Sequence, residues 1–192
     1  MGRPKEFDRE AVLDRALEVF WDRGYDGTSM ADLVLALGVG RQSLYDTFGD
    51  KRALYLLALD RYRAERNATP WHLLDELPLR PGLRALFAAV IDWMVDNPEG
   101  RTCMMVCAAA ERAPHDPEVA ARFTTSTRQV EQRFVARFKR AQADGEIGVQ
   151  HDPVALARYF TNALNGLNVT AKGVHDRAHL LQIADVTLSI LG

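Results

Sequence analysis

Apolar residues recur along this chain at intervals of three and four, punctuated by Gly, Pro and Asp, and strand-like alternation is nearly absent. The pattern predicts an all-α fold. Val12, Leu13, Ala16, Leu17 and Phe20 share one face of a helix over 8–23, with Asp8 as its N-cap and Gly24 as its stop. A second, short helix starts at Thr28 or Ser29, where Asp32 completes a capping-box pattern, and carries Met30, Leu33, Val34 and Leu37 up to Gly38. After Gly38-Val39-Gly40 a third helix spans 41–48, and Gly49-Asp50 lead into a fourth over 51–67.

Thr69-Pro70 and the stretch 78–82 break the periodicity, so the reading places an N-terminal domain at 1–50, with a connecting helix to about 67, and a C-terminal domain at 51–192. Beyond the break the periodicity predicts helices over 81–97, 101–112, 117–144, 153–174 and 177–191, about nine helices altogether. Their starts are marked by Pro81, Asp116-Pro117, Asp152-Pro153 and Asp176.

A chain of 192 residues, 47% hydrophobic and 26% charged, can bury an ordinary core. Its longest apolar runs, near 85–91 and 103–110, are about eight residues long, against the roughly 20 that a membrane span needs. The opening Met-Gly-Arg-Pro-Lys-Glu lacks the apolar core of a signal peptide, which points to the cytoplasm. Two cysteines, Cys103 and Cys107, make no disulfide framework. Net charge is −2, and residues 1–66 are close to neutral, so a nucleic-acid reading must rest on local groups such as Arg3, Lys5, Arg41, Lys51 and Arg52.

Residues 28–48, TSMADLVLALGVGRQSLYDTF, have the punctuation of a helix-turn-helix. The second of its helices turns Leu44 and Phe48 inward and leaves Arg41, Gln42, Ser43, Tyr45 and Asp46 outward, a face that fits a major groove, where Arg and Gln pair with base edges. The residues themselves go further. Ala16-Leu17-Glu18-Val19-Phe20, Gly24-Tyr25, Thr28-Ser29-Met30, Leu37-Gly38-Val39 and Leu44-Tyr45-Asp46-Thr47-Phe48-Gly49-Asp50-Lys51 closely resemble the signature of the TetR family of transcriptional regulators over about residues 8–60.

That resemblance implies a three-helix DNA-binding domain followed by a helical ligand-binding and dimerisation domain. It implies phosphate contacts at Thr28 and Ser29, which suits hydroxyls and free amides at a helix N-terminus, and at Tyr45 and Lys51. It places Arg41, Gln42 and Ser43 at base-reading positions and directs the arm with Arg3 and Lys5 toward the DNA. Packing against the first helix stands as the other reading of Tyr45, and a solvated terminus as that of the arm. Gly40 departs from the Ser or Thr N-cap of many relatives.

The C-terminal half resembles the family less, and its residues leave alternatives open. Phe160, Leu164, Leu167, Leu180, Leu188 and their neighbours on the last two helices form a surface suited to pairing with a second copy, and a two-fold homodimer would match a palindromic operator. The same stripe also suits an internal core. Asn162, Asn165 and Asn168 lie on one helix face, either as contacts to a polar ligand or as a solvated rim. Cys103 and Cys107 read as buried small hydrophobes, as thiols sensing electrophiles, or, with no His beside them, as a poor metal site. Trp93, Met104, Phe134 and Tyr159 line either a cavity or a core, and Glu111 is the polar group on an otherwise apolar helix.

Glycine-rich phosphate loops, GxSxG, HExxH and paired CxxC motifs are all missing, so no enzyme and no cofactor is expected. The expectation is a repressor that binds double-stranded operator DNA and is released by a small-molecule or electrophile effector. A helical interaction module without DNA binding is the alternative.

Overall fold

The computed structural model describes residues 7–66 and 70–192. Among these every regular element is helical: α1 (Arg9–Arg23), α2 (Met30–Leu37), α3 (Arg41–Phe48), α4 (Lys51–Arg66), α5 (His72–Glu76), α6 (Leu79–Val95), α7 (Met104–Arg112), α8 (Pro117–Ala143), α9 (Pro153–Ala171) and α10 (Arg177–Ser189). No helix among them is long and apolar enough to cross a membrane. The chain divides into two units, Met1–Asn67 with Cys107–Phe123, and Ala68–Val106 with Thr124–Gly192.

Local chemistry sets the boundaries. Asp8 accepts the amides of Glu10 and Ala11 at the start of α1, and Gly24 ends it with φ 71°. Ser29 and Asp32 close the expected capping box on α2, and Gly38 ends that helix in the left-handed region. Asp116, Asp152 and Asp176 each accept amides of the helix that follows them. Each such cap contributes about 1 kcal/mol.

In the first unit α1 packs on α4 and α2, and α2 on α3. Val12, Ala16, Leu17, Phe20, Leu33 and Leu44 are almost wholly buried, and Phe20 meets Tyr55 edge-on at 5.0 Å. In the second unit α6 packs on α10, α5 and α9. Its centre is aromatic: Phe134 and Phe138 stack at 5.9 Å, Phe160 lies 5.3 Å from Phe138, and Trp71 meets Phe134 edge-on at 5.6 Å.

The structure has one helix more than the periodicity predicted. α5 lies between the two breaks, in a stretch where the periodicity predicts no helix, because its support comes from α8 and not from its own five residues. Arg137 donates from Nε to Leu74 O at 2.9 Å and from Nη2 to Leu77 O at 3.1 Å, while Arg140 donates to Asp75 O at 2.9 Å. Cations thus take the last carbonyls of a helix too short to persist alone. Buried Arg137 is balanced by Glu146 at 2.9 Å, which also accepts the Leu79 amide at the start of α6. α6 therefore begins at Leu79, two residues earlier than predicted, with Pro81 in its first turn, where a missing N–H costs nothing. α7 begins at Met104, three residues later than predicted.

Candidate nucleic-acid interface

The helix-turn-helix is built by anchoring one side of α3 and freeing the other. Val39 in the turn, Leu44 and Phe48 are buried, whereas Arg41, Gln42, Ser43 and Asp46 are exposed. Gly40 provides no side-chain cap, and its carbonyl accepts the Leu44 amide at 3.0 Å. Along its outer face the Gln42 amide donates to Asp46 Oδ1 at 2.8 Å, one helical turn away, and the Arg41 guanidinium lies 5.7 Å from the centroid of the half-buried Tyr45 ring. This face offers amide, guanidinium and hydroxyl groups, the kinds of group that pair with base edges.

The residues flanking α3 differ in what they offer. Ser29 is exposed at the N-cap of α2, its hydroxyl and amide donating to Asp32, which holds that carboxyl below its ordinary value. Thr28, expected at a phosphate contact, is 1% exposed, and its hydroxyl donates to Gly24 O at 2.7 Å, so its side chain stabilises the turn between α1 and α2. Lys51 also does more than expected. Its ammonium donates to the carbonyls of Tyr25 and Thr28, both at 2.8 Å, and lies 3.9 Å from the Tyr25 ring centroid. Two of its three N–H donors are thereby used inside the protein. Arg3 and Lys5 lie outside the described residues.

The expected effector residues fall in different settings. Glu111 is half-buried, and both of its carboxylate oxygens accept backbone amides of the α1–α2 turn. Met104 and Phe134 are buried, and Phe134 belongs to the aromatic core. Trp93, Cys103, Cys107 and Asn165 are half-buried. Tyr159, read as lining a cavity or a core, and Asn162, read as a ligand contact or a solvated rim, both stand on the exposed side of α9. Of the three asparagines, Asn168 is the buried one: its Oδ1 accepts the Cys103 amide at 2.7 Å and its Nδ2 donates to Leu164 O at 2.8 Å. The even spacing of the asparagines flagged this helix face but could not show which of them turns inward. Among the described residues no group of three His, Cys, Asp or Glu side chains is placed to hold a metal ion.

Comparison with known proteins gives this geometry a context. The family described as bacterial regulatory proteins, tetR family, matches residues 12–58, and the tetracyclin repressor-like C-terminal domain matches residues 80–186. The HTH-type transcriptional regulator YezE of Bacillus subtilis is 41% identical over the full length of both chains. The HTH-type transcriptional repressor ComR of Escherichia coli is 32% identical, over 98% of this chain and 91% of its own. A cysteine mutant of the TetR family transcriptional regulator CifR, solved with a 26-bp double-strand operator DNA, superimposes with a TM-score of 0.87 at 32% identity, covering 100% of both chains. The chain belongs to the TetR family of bacterial transcriptional regulators, which are DNA-binding proteins and not enzymes.

Proposed function

We propose that this regulator is a repressor acting in the cytoplasm, binding a palindromic operator as a homodimer and leaving it when a small molecule or electrophile engages the C-terminal domain. The observation that carries this reading is the outward face of α3, where Arg41, Gln42 and Ser43 are all exposed while Leu44 and Phe48 hold the helix down. It is supported by the repressor name of ComR and the operator complex of CifR. Arg41, Gln42 and Ser43 read bases, Ser29, Tyr45 and the remaining donor of Lys51 meet phosphates, and the Arg3 and Lys5 arm follows the groove.

Two-fold pairing through α9 and α10 is supported by the apolar side chains they leave in water: Tyr159 and Val169 on α9, 41% and 60% exposed, Val186 on α10, 70% exposed, and Ile190 at its C-cap, 44% exposed. Such an arrangement sets the two copies of α3 about 34–36 Å apart, one turn of DNA. The effector acts near Trp93, Cys103 and Met104, with Cys103 the thiol an electrophile would modify.

Selection from a random duplex library should enrich an inverted repeat, and affinity for it should fall steeply with salt as counterions compete. Cys103→Ser should retain DNA binding and lose release by a thiol-reactive compound. Library selection that enriches nothing rejects operator binding, and release that persists in Cys103→Ser rejects the thiol.

A further inference from the structure

The last two residues of α7 grip the turn between α1 and α2. Glu111 accepts Tyr25 N–H at Oε2 (3.0 Å) and Asp26 N–H at Oε1 (2.7 Å). Arg112 reaches Asp26 Oδ1 at 3.4 Å and lies 4.6 Å from the Tyr25 ring centroid. Both amides follow the end of α1, where the chain has left the helical ladder and an N–H has no local acceptor. Gly24 makes the close approach possible: a Cβ there would stand 2.9 Å from Oε2 and 3.0 Å from Oε1.

Local electrostatics alone would not select an acid at this position. Glu111 sits near the C-terminal ends of two helices, its own α7 and α1, whose partial negative charges disfavour a carboxylate. Two charge-assisted bonds to backbone amides offset that cost. The turn they hold leads directly to Thr28 and to Ser29, the N-cap of α2. Cys107 lies one helical turn before Glu111, and both act, after burial itself, to disfavour ionisation of the buried Tyr55 phenol. Glu111 thus borders a packed interior on one side and the turn leading into α2 on the other.

We infer that Glu111, aided by Arg112, is a latch that fixes the α1–α2 turn in the geometry DNA binding needs. This rests on the operator-binding reading above. Glu111 is a positioning residue: it acts on DNA through the backbone of residues 25–28 and not by touching it.

The test uses the full-length protein and the duplex that the unmodified protein selects from a random library. In Glu111→Ala the amides of Tyr25 and Asp26 should exchange hydrogen faster, with Glu111→Gln between the two because its one amide oxygen keeps an acceptor. Affinity for the selected duplex should fall about tenfold in Glu111→Ala at an unchanged salt slope, since the competent population shrinks while no phosphate contact is lost. Should Glu111→Ala fail to fold, Glu111→Gln and Arg112→Gln carry the same expectations in smaller measure. A rise in affinity would show an acid that merely repels DNA and would overturn the latch. Faster exchange with unchanged affinity, or unchanged exchange, would overturn it as well. Failure of the unmodified protein to select any duplex would overturn the operator reading together with the latch, and is told apart because it appears without any substitution.

Discussion

Arg52 holds Asp116 with two parallel bonds, Nε to Oδ2 at 2.7 Å and Nη2 to Oδ1 at 2.8 Å, joining the first turn of α4 to the N-cap of α8. Asp116 is buried and also accepts the amides of Glu118 and Val119. The bond from Arg52, opposed by burial, brings its carboxyl down to about 2 from an ordinary 3.8. A lowered folded-state value means that the stabilisation is complete above the ordinary carboxylate range and is lost as pH falls from about 4 to about 2. Asp116→Asn should cost about 2 kcal/mol at neutral pH, and its deficit relative to the unmodified protein should shrink across that window. Chemical denaturation as a function of pH measures this; coincident curves for the two proteins would show that the pair contributes nothing, and a constant offset would show that its contribution does not depend on the Asp116 proton.

On the proposed reading face, Gln42 is tethered to Asp46 and must exchange that acceptor for a base edge. Gln42→Ala should lower operator affinity by about 1–3 kcal/mol and leave random-sequence binding nearly intact, because an amide reads only where its matching base is present. Tyr45→Phe should weaken both DNAs alike. Anisotropy with operator and scrambled duplexes separates the roles, and equal losses on both DNAs for Gln42→Ala would remove it from base reading.

Lys51 combines a structural and a proposed DNA role, so its loss should be felt twice. Lys51→Met keeps the aliphatic stem but strips the carbonyls of Tyr25 and Thr28 of their ammonium donor, which should lower stability by about 1–3 kcal/mol. Its DNA salt slope should fall by about 1 if the third N–H meets a phosphate. Unchanged stability with a lower slope would leave Lys51 with the phosphate alone.

The proposed pairing face is open to a direct test. Val169 and Val186 are among the most exposed large apolar side chains of α9 and α10, so Val169→Asp and Val186→Asp should leave the fold intact while placing a charge where a second copy would pack. Light scattering at micromolar concentration should shift from dimer to monomer, with operator affinity falling in parallel. A variant that remains dimeric would move the interface elsewhere.

Much of the fold was legible because its signals are local. The caps at Asp8, Ser29, Asp116, Asp152 and Asp176 and the stop at Gly24 act within three residues of sequence, and each bounds the helix it predicts. α5 was not legible, since its carbonyls are held by Arg137 and Arg140, more than sixty positions downstream in sequence. The outward face of α3 follows from the inward Leu44 and Phe48. The inward turn of the Thr28 hydroxyl, the engagement of Lys51 by two carbonyls and the capture of the turn amides by Glu111 all depend on tertiary approach, which helical periodicity does not encode.

Gly24 ties its own replaceability to a residue far along the chain. Its backbone, φ 71° and ψ 179°, is one that only glycine adopts at ease, so Gly24→Ala carries about 1–3 kcal/mol of strain whatever surrounds it. The collision with the Glu111 carboxylate is a separate share of that cost, and it vanishes when position 111 is shortened. The two changes are therefore non-additive: Gly24→Ala should be milder in a chain that already carries Glu111→Ala, by about 0.5–3 kcal/mol. Shortening position 111 would therefore relax only the steric share of the demand for glycine at position 24, and the share set by the backbone would remain.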